Sequence, residues 1–531
     1  MSSPSKFASR TFQQIKEDLL ARREIALLDV REEAPHAEAH PLFAANLPFA
    51  RLELDAWTRI PRRTTRIVVL DDGEGLAEQA AQRLQTLGYT DVSVLQGGVS
   101  GWQRDGGELF RDVNVPSKSF GELVESKRHT PSLSAQEVQA LLDQKADVVV
   151  LDARRFDEYQ NMNIPGSVSV PGAELVLRVR ALAPRPETQV IVNCAGRTRS
   201  IIGTQSLLNA GIPNTVHALR NGTIGWTLAG QTLDKGQARR FPQEIDAATQ
   251  TQAAADARAV AERSGVKRLD WQGLQALRAD TDRTTYQFDV RTPEEFLTAH
   301  VPGFLSSPGG QLVQETESNA PVRGARIVLF DTDGVRANMT ASWLAQMGWE
   351  VYVLDAVVAL SESGSVKPPL PPAPPAEKIT PQVLAGWLAD TAIRTLVLDF
   401  TTSANYVARH IPGARFALRS QLATVLQQLP PADRYVLTCG SSLLAAYVIG
   451  DVRSLSSTPV FLLDGGNAAW VNAGLPLESG ETALASPRID RYRRPYEGTD
   501  NPVAAMQGYL DWEFGLVEQL GKDGTHGFFV I

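Results

Sequence analysis

Residues 189–200 read Gln-Val-Ile-Val-Asn-Cys-Ala-Gly-Arg-Thr-Arg-Ser, and the character of the chain changes in the middle of them. Val190, Ile191 and Val192 form a short β-branched run, the pattern of a strand buried on both faces. The run ends at Asn193 and Cys194, and a glycine and two arginines follow within five positions. A helical pattern begins near Ser200 and runs to Asn209, with Gly211 beyond it where a helix C-cap favours glycine. Strand, tight loop and helix in that order open a βα unit, whose ligand sites lie at the carboxyl ends of the strands.

The pattern recurs. Upstream, Val149-Val150-Leu151-Asp152 is a second short apolar run ending in aspartate, and it has three counterparts, ending at Asp29, Asp289 and Asp399. Eleven positions beyond these aspartates stand His40, Asn163, His300 and His410. Three of the four copies then give Pro-Gly, at Pro165-Gly166, Pro302-Gly303 and Pro412-Gly413. A second apolar strand ends 42, 42, 42 and 40 residues after the aspartate, at Asp71, Cys194, Asp331 and Cys439. A closing Gly-rich turn carries a tryptophan in three copies, Trp102, Trp226 and Trp470, whereas copy three has Asp355-Ala356 and no tryptophan. Agreement at several landmarks marks internal repetition of one α/β domain.

The repeat sets the organisation. Copy one is expected over 1–115, copy two over 128–240, copy three over 263–364 and copy four over 377–482. Residues 241–262 are polar and Ala/Gln-rich, the composition of a linker helix. Residues 365–376 are Pro-rich and expected to be extended and semi-rigid. The tail, 483–531, holds Tyr492, Tyr496, Tyr509, Trp512 and Phe514, too aromatic for a disordered end, and is expected to pack on a domain face, as a lid or against a linker.

Leu-Asp-Ala-Arg (151–154), Asn-x-Pro-Gly (163–166), Cys-Ala-Gly-Arg-Thr-Arg (194–199) and Asn-Gly-x-x-x-Trp (221–226) together resemble the rhodanese family. The second element is usually His-x-Pro-Gly, which copies three and four keep. The resemblance implies four tandem domains, each a parallel five-stranded sheet flanked by helices. It also implies a cysteine that opens the loop and accepts a sulfane sulfur as a persulfide.

The residues around Cys194 suit that chemistry. Inward-pointing N–H groups of Ala195, Gly196 and Thr198 form an anion-binding nest, and the helix N-terminus adds partial positive charge. With Arg197 and Arg199 close by, the thiol is expected to ionise about one unit or more below its reference of about 8.5. The thiolate attacks the outer sulfur of thiosulfate while the two arginines hold the departing sulfite. Cyanide or a cellular thiol then takes the sulfur, a double displacement requiring no metal or organic cofactor. Arg154 follows Asp152 as Arg31 follows Asp29 and Arg291 follows Asp289; a structural ion pair is expected there ahead of substrate contact.

Asp71 and Asp331 cannot carry a sulfane sulfur, so copies one and three are expected to be inert. Copy four opens with Cys439-Gly440-Ser441, which resembles the loop of mercaptopyruvate sulfurtransferases, but no arginine follows and Leu443 and Leu444 stand where a substrate would fit. Cys439 is therefore a possible second site, read first as a buried structural thiol. Two rivals remain. A phosphatase loop, Cys-x5-Arg, needs arginine at 200, where Ser200 stands. A persulfide-carrying scaffold with little turnover fits a chain with inert copies.

Composition bounds the remainder. At 531 residues the chain exceeds one core. A net charge of −8 lends no support to a nucleic-acid partner. No apolar stretch is long enough to span a bilayer. Two cysteines 245 positions apart make neither a disulfide framework nor a metal cluster. The cytoplasm, where thiols stay reduced, is the expected location.

Overall fold

The structure, a computed structural model, describes residues 6–531. In copy two, five parallel strands lie side by side in the order Ser132–Leu133, Val216–Leu219, Gln189–Asn193, Val148–Asp152 and Val168–Ser169. The central strands carry the β-branched runs, and Val190, Ile191, Val192 and Leu151 are fully buried between flanking helices. Copies three and four repeat this order. The same-end geometry of parallel strands puts Asp152 and Cys194 together at one edge, where Asn193 Nδ2 donates to Asp152 Oδ2 at 2.9 Å.

Copy one departs from the expected five strands: its sheet has six. The short strand Ala45–Asn46 pairs only with Leu28 and Asp29 of Ile25–Asp29, which leaves the first half of that edge open. Val322–Arg323, from copy three, fills it in antiparallel pairing with Ile25 and Ala26. An exposed edge strand invites pairing with another chain, and here a neighbouring copy covers it.

The closing turn explains another difference between copies. In copies one, two and four it leads into short helices, Gly98–Arg104, Gly222–Leu228 and Gly466–Asn472. Trp102, Trp226 and Trp470 are buried there, and each indole N–H donates to a carbonyl six residues on. Copy three, without the glycine pair and tryptophan, has no helix after its last strand, Glu350–Leu354.

The copies do not sit as separate beads. The helix Val115–Arg128, between copies one and two, buries Phe120 and Val124 in a core shared by copies one and three and the tail residues Leu516, Leu520 and Phe528. The linker helix Ala247–Arg263 presents Ala253, Ala257 and Val260 to copy two's core, where Val335 and Met339 of copy three also insert. Each large apolar side chain so buried contributes about 1.5–3 kcal/mol, so the shared residues couple the copies strongly. The tail forms two helices, Val503–Phe514 and Leu516–Asp523, and ends against copy three through Phe529 N–H to Gln346 O at 2.9 Å.

Candidate active site

The loop after Gln189–Asn193 turns into the helix Thr198–Asn209, two residues earlier than the sequence pattern indicates. It is fastened from below by the closing turn: Thr223 N–H donates to Cys194 O at 2.9 Å and Ile224 N–H to Ala195 O at 3.0 Å. This close approach requires glycine at 222, where φ is +54° and a Cβ would stand 2.3 Å from Cys194 O.

The four copies together show what the loop is built to hold. In copy one, Asp71 accepts backbone N–H bonds from Gly73 and Ala77, at 3.2 and 3.0 Å. In copy three, Asp331 accepts from Gly334 and Ala337, at 2.9 and 2.7 Å. Ala77 and Ala337 stand six residues after their aspartates, as Ser200 and Ala445 stand after Cys194 and Cys439. The N–H groups of Ser200 and Ala445 likewise favour the thiolates of those cysteines. The cradle turns backbone N–H groups on one side chain in each copy, a carboxyl in two and a sulfur in the other two.

Cys194 itself is closed in, with 1% of its surface exposed. Its thiol donates to Ser200 Oγ at 3.4 Å. Burial pushes the thiol up, against the opposing effects of Arg199 and Ser200. The expected depression of the thiol is therefore not met, because desolvation outweighs the Arg199 guanidinium and the Ser200 hydrogen bonds.

The arginines are committed elsewhere. Arg197 donates to Glu122 at 2.7 and 2.9 Å, also meets Glu125 and Asn221, and stacks on Phe514 at 4.2 Å. These bonds correct the expectation that its charge is free for sulfite; it ties the loop to the helix Val115–Arg128 and to the tail. Arg199 donates to both carboxylate oxygens of Glu158. Arg154, 1% exposed, donates to Asp152 at 2.9 and 2.7 Å and to Met162 O. Arg31 and Arg291 make the same pair in copies one and three, so the Arg154–Asp152 bond is the expected structural ion pair of the repeat. Thr198 packs on Gly121, while Gly196 lies against the tail, where a Cβ would meet the Tyr509 ring at 3.1 Å.

The aromatic tail packs on a domain face, as its composition indicates, and the face it meets includes the Cys194 loop. Met506, Tyr509 and Leu510 form a cluster with Ile224, so the helix Val503–Phe514 lies across the reactive loop. Lys118, ion-paired with Asp112, sits 5.1–5.6 Å from the rings of Tyr496, Tyr509 and Trp512. A cleft of about 860 Å³ adjoins this region, with Arg154, Glu158, Tyr496 and Arg494 in its wall. Nothing in sequence spacing foretells such contacts; aromatic content alone hinted that the tail packs.

The rhodanese-like domain family matches residues 12–105, 134–229, 272–356 and 380–473. The chain belongs to the rhodanese family. A crystal structure titled thiosulfate sulfurtransferase, from Pseudomonas aeruginosa, is 69% identical, covers 99% of this chain and 100% of its own, and superposes with a TM-score of 0.97. A curated Pseudomonas aeruginosa protein named thiosulfate sulfurtransferase is 28% identical over 221 residues, 34% of this chain and 80% of that one. The HTH-type transcriptional regulator Rv0324 of Mycobacterium tuberculosis is 29% identical over 90 residues, 17% of this chain and 39% of its own length.

Within this rhodanese frame copy four differs from copy two. Cys439 is 5% exposed, and burial raises its thiol, with backbone N–H groups of Ala445, Leu444 and Ser441 as the chief opposing influences. Leu443 is 44% exposed, so it does not fill the loop as expected; only Leu444 packs on the core. The histidines of the repeat are structural: His300 and His410 are buried with Nδ1 on the carbonyls of Phe296 and Tyr406. Among the described residues no group of three or more His, Cys, Asp or Glu is placed to hold a metal ion. Among them also, no helix is long and apolar enough to cross a membrane.

Proposed function

We propose that this rhodanese is a sulfurtransferase that takes the sulfane sulfur of thiosulfate onto Cys194 as a persulfide and passes it to cyanide or a thiol. The observation that carries the reading is the shared cradle. Asp71 and Asp331 fill it with carboxylate oxygens in copies one and three, and copy two offers Cys194 at the same place. A cradle that stabilises a carboxylate by backbone donors also stabilises a thiolate or a persulfide anion.

Arg199 is the guanidinium in the loop that acts directly on the Cys194 thiolate. Its bidentate bond to Glu158 fixes it there, and sulfite is released beside a held cation. The two relatives named thiosulfate sulfurtransferase support thiosulfate as donor.

Intact mass after brief thiosulfate treatment, followed by peptide mapping, tests the reading. One added sulfur on the peptide holding Cys194 is expected, and a chain that takes up none would refute it. Burial of Cys194 under the tail favours a second reading, a persulfide carrier. That reading predicts stoichiometric loading with little steady-state thiocyanate.

A further inference from the structure

Glu513, on the tail helix, is buried completely. Half of its carboxyl is occupied: the Tyr509 hydroxyl donates to Oε1 at 2.8 Å. The other oxygen, Oε2, is buried without a hydrogen-bond partner. It is also the oxygen that meets the reactive loop, 3.4 Å from the position of a Cβ on Gly196. Leaving such an acceptor unsatisfied costs about 1–3 kcal/mol, and this one lies against the loop that carries Cys194. In its ionised form Glu513 opposes the Cys194 thiolate.

We infer that Glu513 is a catalytic acid for the second half-reaction, carried to the Cys194 loop by the tail, with Oε2 delivering its proton to the outer sulfur of the persulfide. The inference rests on the persulfide reading of Cys194. Loading needs no proton: the thiolate bonds to the outer sulfur, the S–S bond of thiosulfate breaks, and sulfite leaves with that electron pair. What remains is Cys194–Sγ–S⁻. Unloading brings a second anion, cyanide or a thiolate, against this one. Transfer of the Glu513 proton gives Cys194–Sγ–SH and removes the repulsion. The acceptor then bonds to the outer sulfur, the Sγ–S bond breaks, and Cys194 departs as a thiolate with the electron pair. The proton on the transferred sulfur returns to the Glu513 carboxylate, and thiocyanate or a persulfide anion leaves.

The surroundings keep a proton available. Burial, joined by the charge of Glu122, raises the Glu513 carboxyl to about 8, against Lys118 and Arg197 and the Tyr509 hydroxyl. Tyr496 and Asp112 complete the ionisable groups gathered around Tyr509 and Lys118. Glu513 holds its proton at neutral pH and loses it as the pH rises through about 8.

The experiment separates the half-reactions in the full chain. Thiosulfate loading is read by quenched intact mass, and cyanide unloading of the pre-loaded protein by thiocyanate. Glu513→Gln should slow unloading at pH 7 by about a hundredfold more than it slows loading. The wild-type rate relative to this variant should fall above about pH 8. Tyr509→Phe, which removes a donor that favours the carboxylate, should move that alkaline fall to higher pH. Equal unloading by wild type and Glu513→Gln at every pH would overturn the proposal, as would an alkaline limb unmoved in Tyr509→Phe. A wild-type chain that never loads at Cys194 would instead overturn the reading beneath it.

Discussion

The Arg199 guanidinium grips Glu158 through two parallel bonds, 2.7 and 2.9 Å long, and Arg336 grips Glu295 in the same way at 2.6 and 2.8 Å. The residues are equivalent: each arginine stands five positions after the cradle residue, Cys194 or Asp331, and each glutamate six after the strand-end aspartate. One pair thus faces a thiol and the other faces a carboxylate. Arg199 holds Glu158 down to about 2 although burial alone would raise it, so the pair is ionised at neutral pH.

The duplicate pair separates structure from catalysis. Arg199→Ala and Arg336→Ala should each destabilise the protein, by on the order of 3 kcal/mol, since the first takes the guanidinium from Glu158 and the second takes it from Glu295, Glu174 and Asp333. Only Arg199→Ala should lower kcat/KM for thiosulfate, and more than it lowers loading from a neutral persulfide donor. Chemical denaturation and steady-state kinetics check both. Equal effects of the two variants on kinetics would confine Arg199 to a structural part.

The two cysteines offer a second contrast. Cys194→Ser should abolish thiocyanate formation, whereas Cys439→Ser should leave most of it. Arg199 is the chief influence favouring the first thiolate, whereas backbone N–H groups are the chief ones at the second. Loss of activity on the second substitution alone would move the site to copy four.

Much of this was legible in sequence. The strand-end aspartates, the spacing to Cys194 and the glycine of the closing turn follow from local backbone chemistry, and local chemistry repeats. Even the Glu158–Arg199 pair could have been found, because Glu295 and Arg336 recur at the same offsets. The environment of the thiol could not. Glu122, Tyr509, Glu513 and Phe514 reach the loop from 72 or more positions before it or over 300 after it, by packing that no periodicity records. For that reason the charge of Arg197 was misread: a cation next to a cysteine in sequence turned to carboxylates that only the fold supplies.

Glu317 makes a pH prediction. Both its carboxyl oxygens are buried without a hydrogen-bond partner, and burial raises it to about 7 from 4.5. A carboxyl raised in the folded state contributes fully below its unfolded value, and that contribution is lost as the pH rises to about 7. Glu317→Gln should match wild type near pH 4 and exceed it by up to about 3 kcal/mol at pH 8. Denaturation midpoints across this range check it; parallel curves would contradict the assigned shift.

The tail helix lies against the loop that carries Cys194. Leu510 is 2% exposed and packs with Ile224 beneath the helix Val503–Phe514, and the same helix lays Tyr509 over Gly196. Truncating a buried leucine removes about 2–5 kcal/mol of packing. Where that packing holds the tail down, the population of locally opened molecules rises in proportion. Leu510→Ala should therefore speed modification of Cys194 by an aromatic disulfide reagent by about thirtyfold or more. Cys439 lies in a separate core and supplies the internal reference, since its rate should not change. If Cys194 reacted no faster in the variant, reagent would be reaching it by a path other than the one the tail covers, and the adjoining cleft beside Tyr496 and Glu158 would be the place to block next.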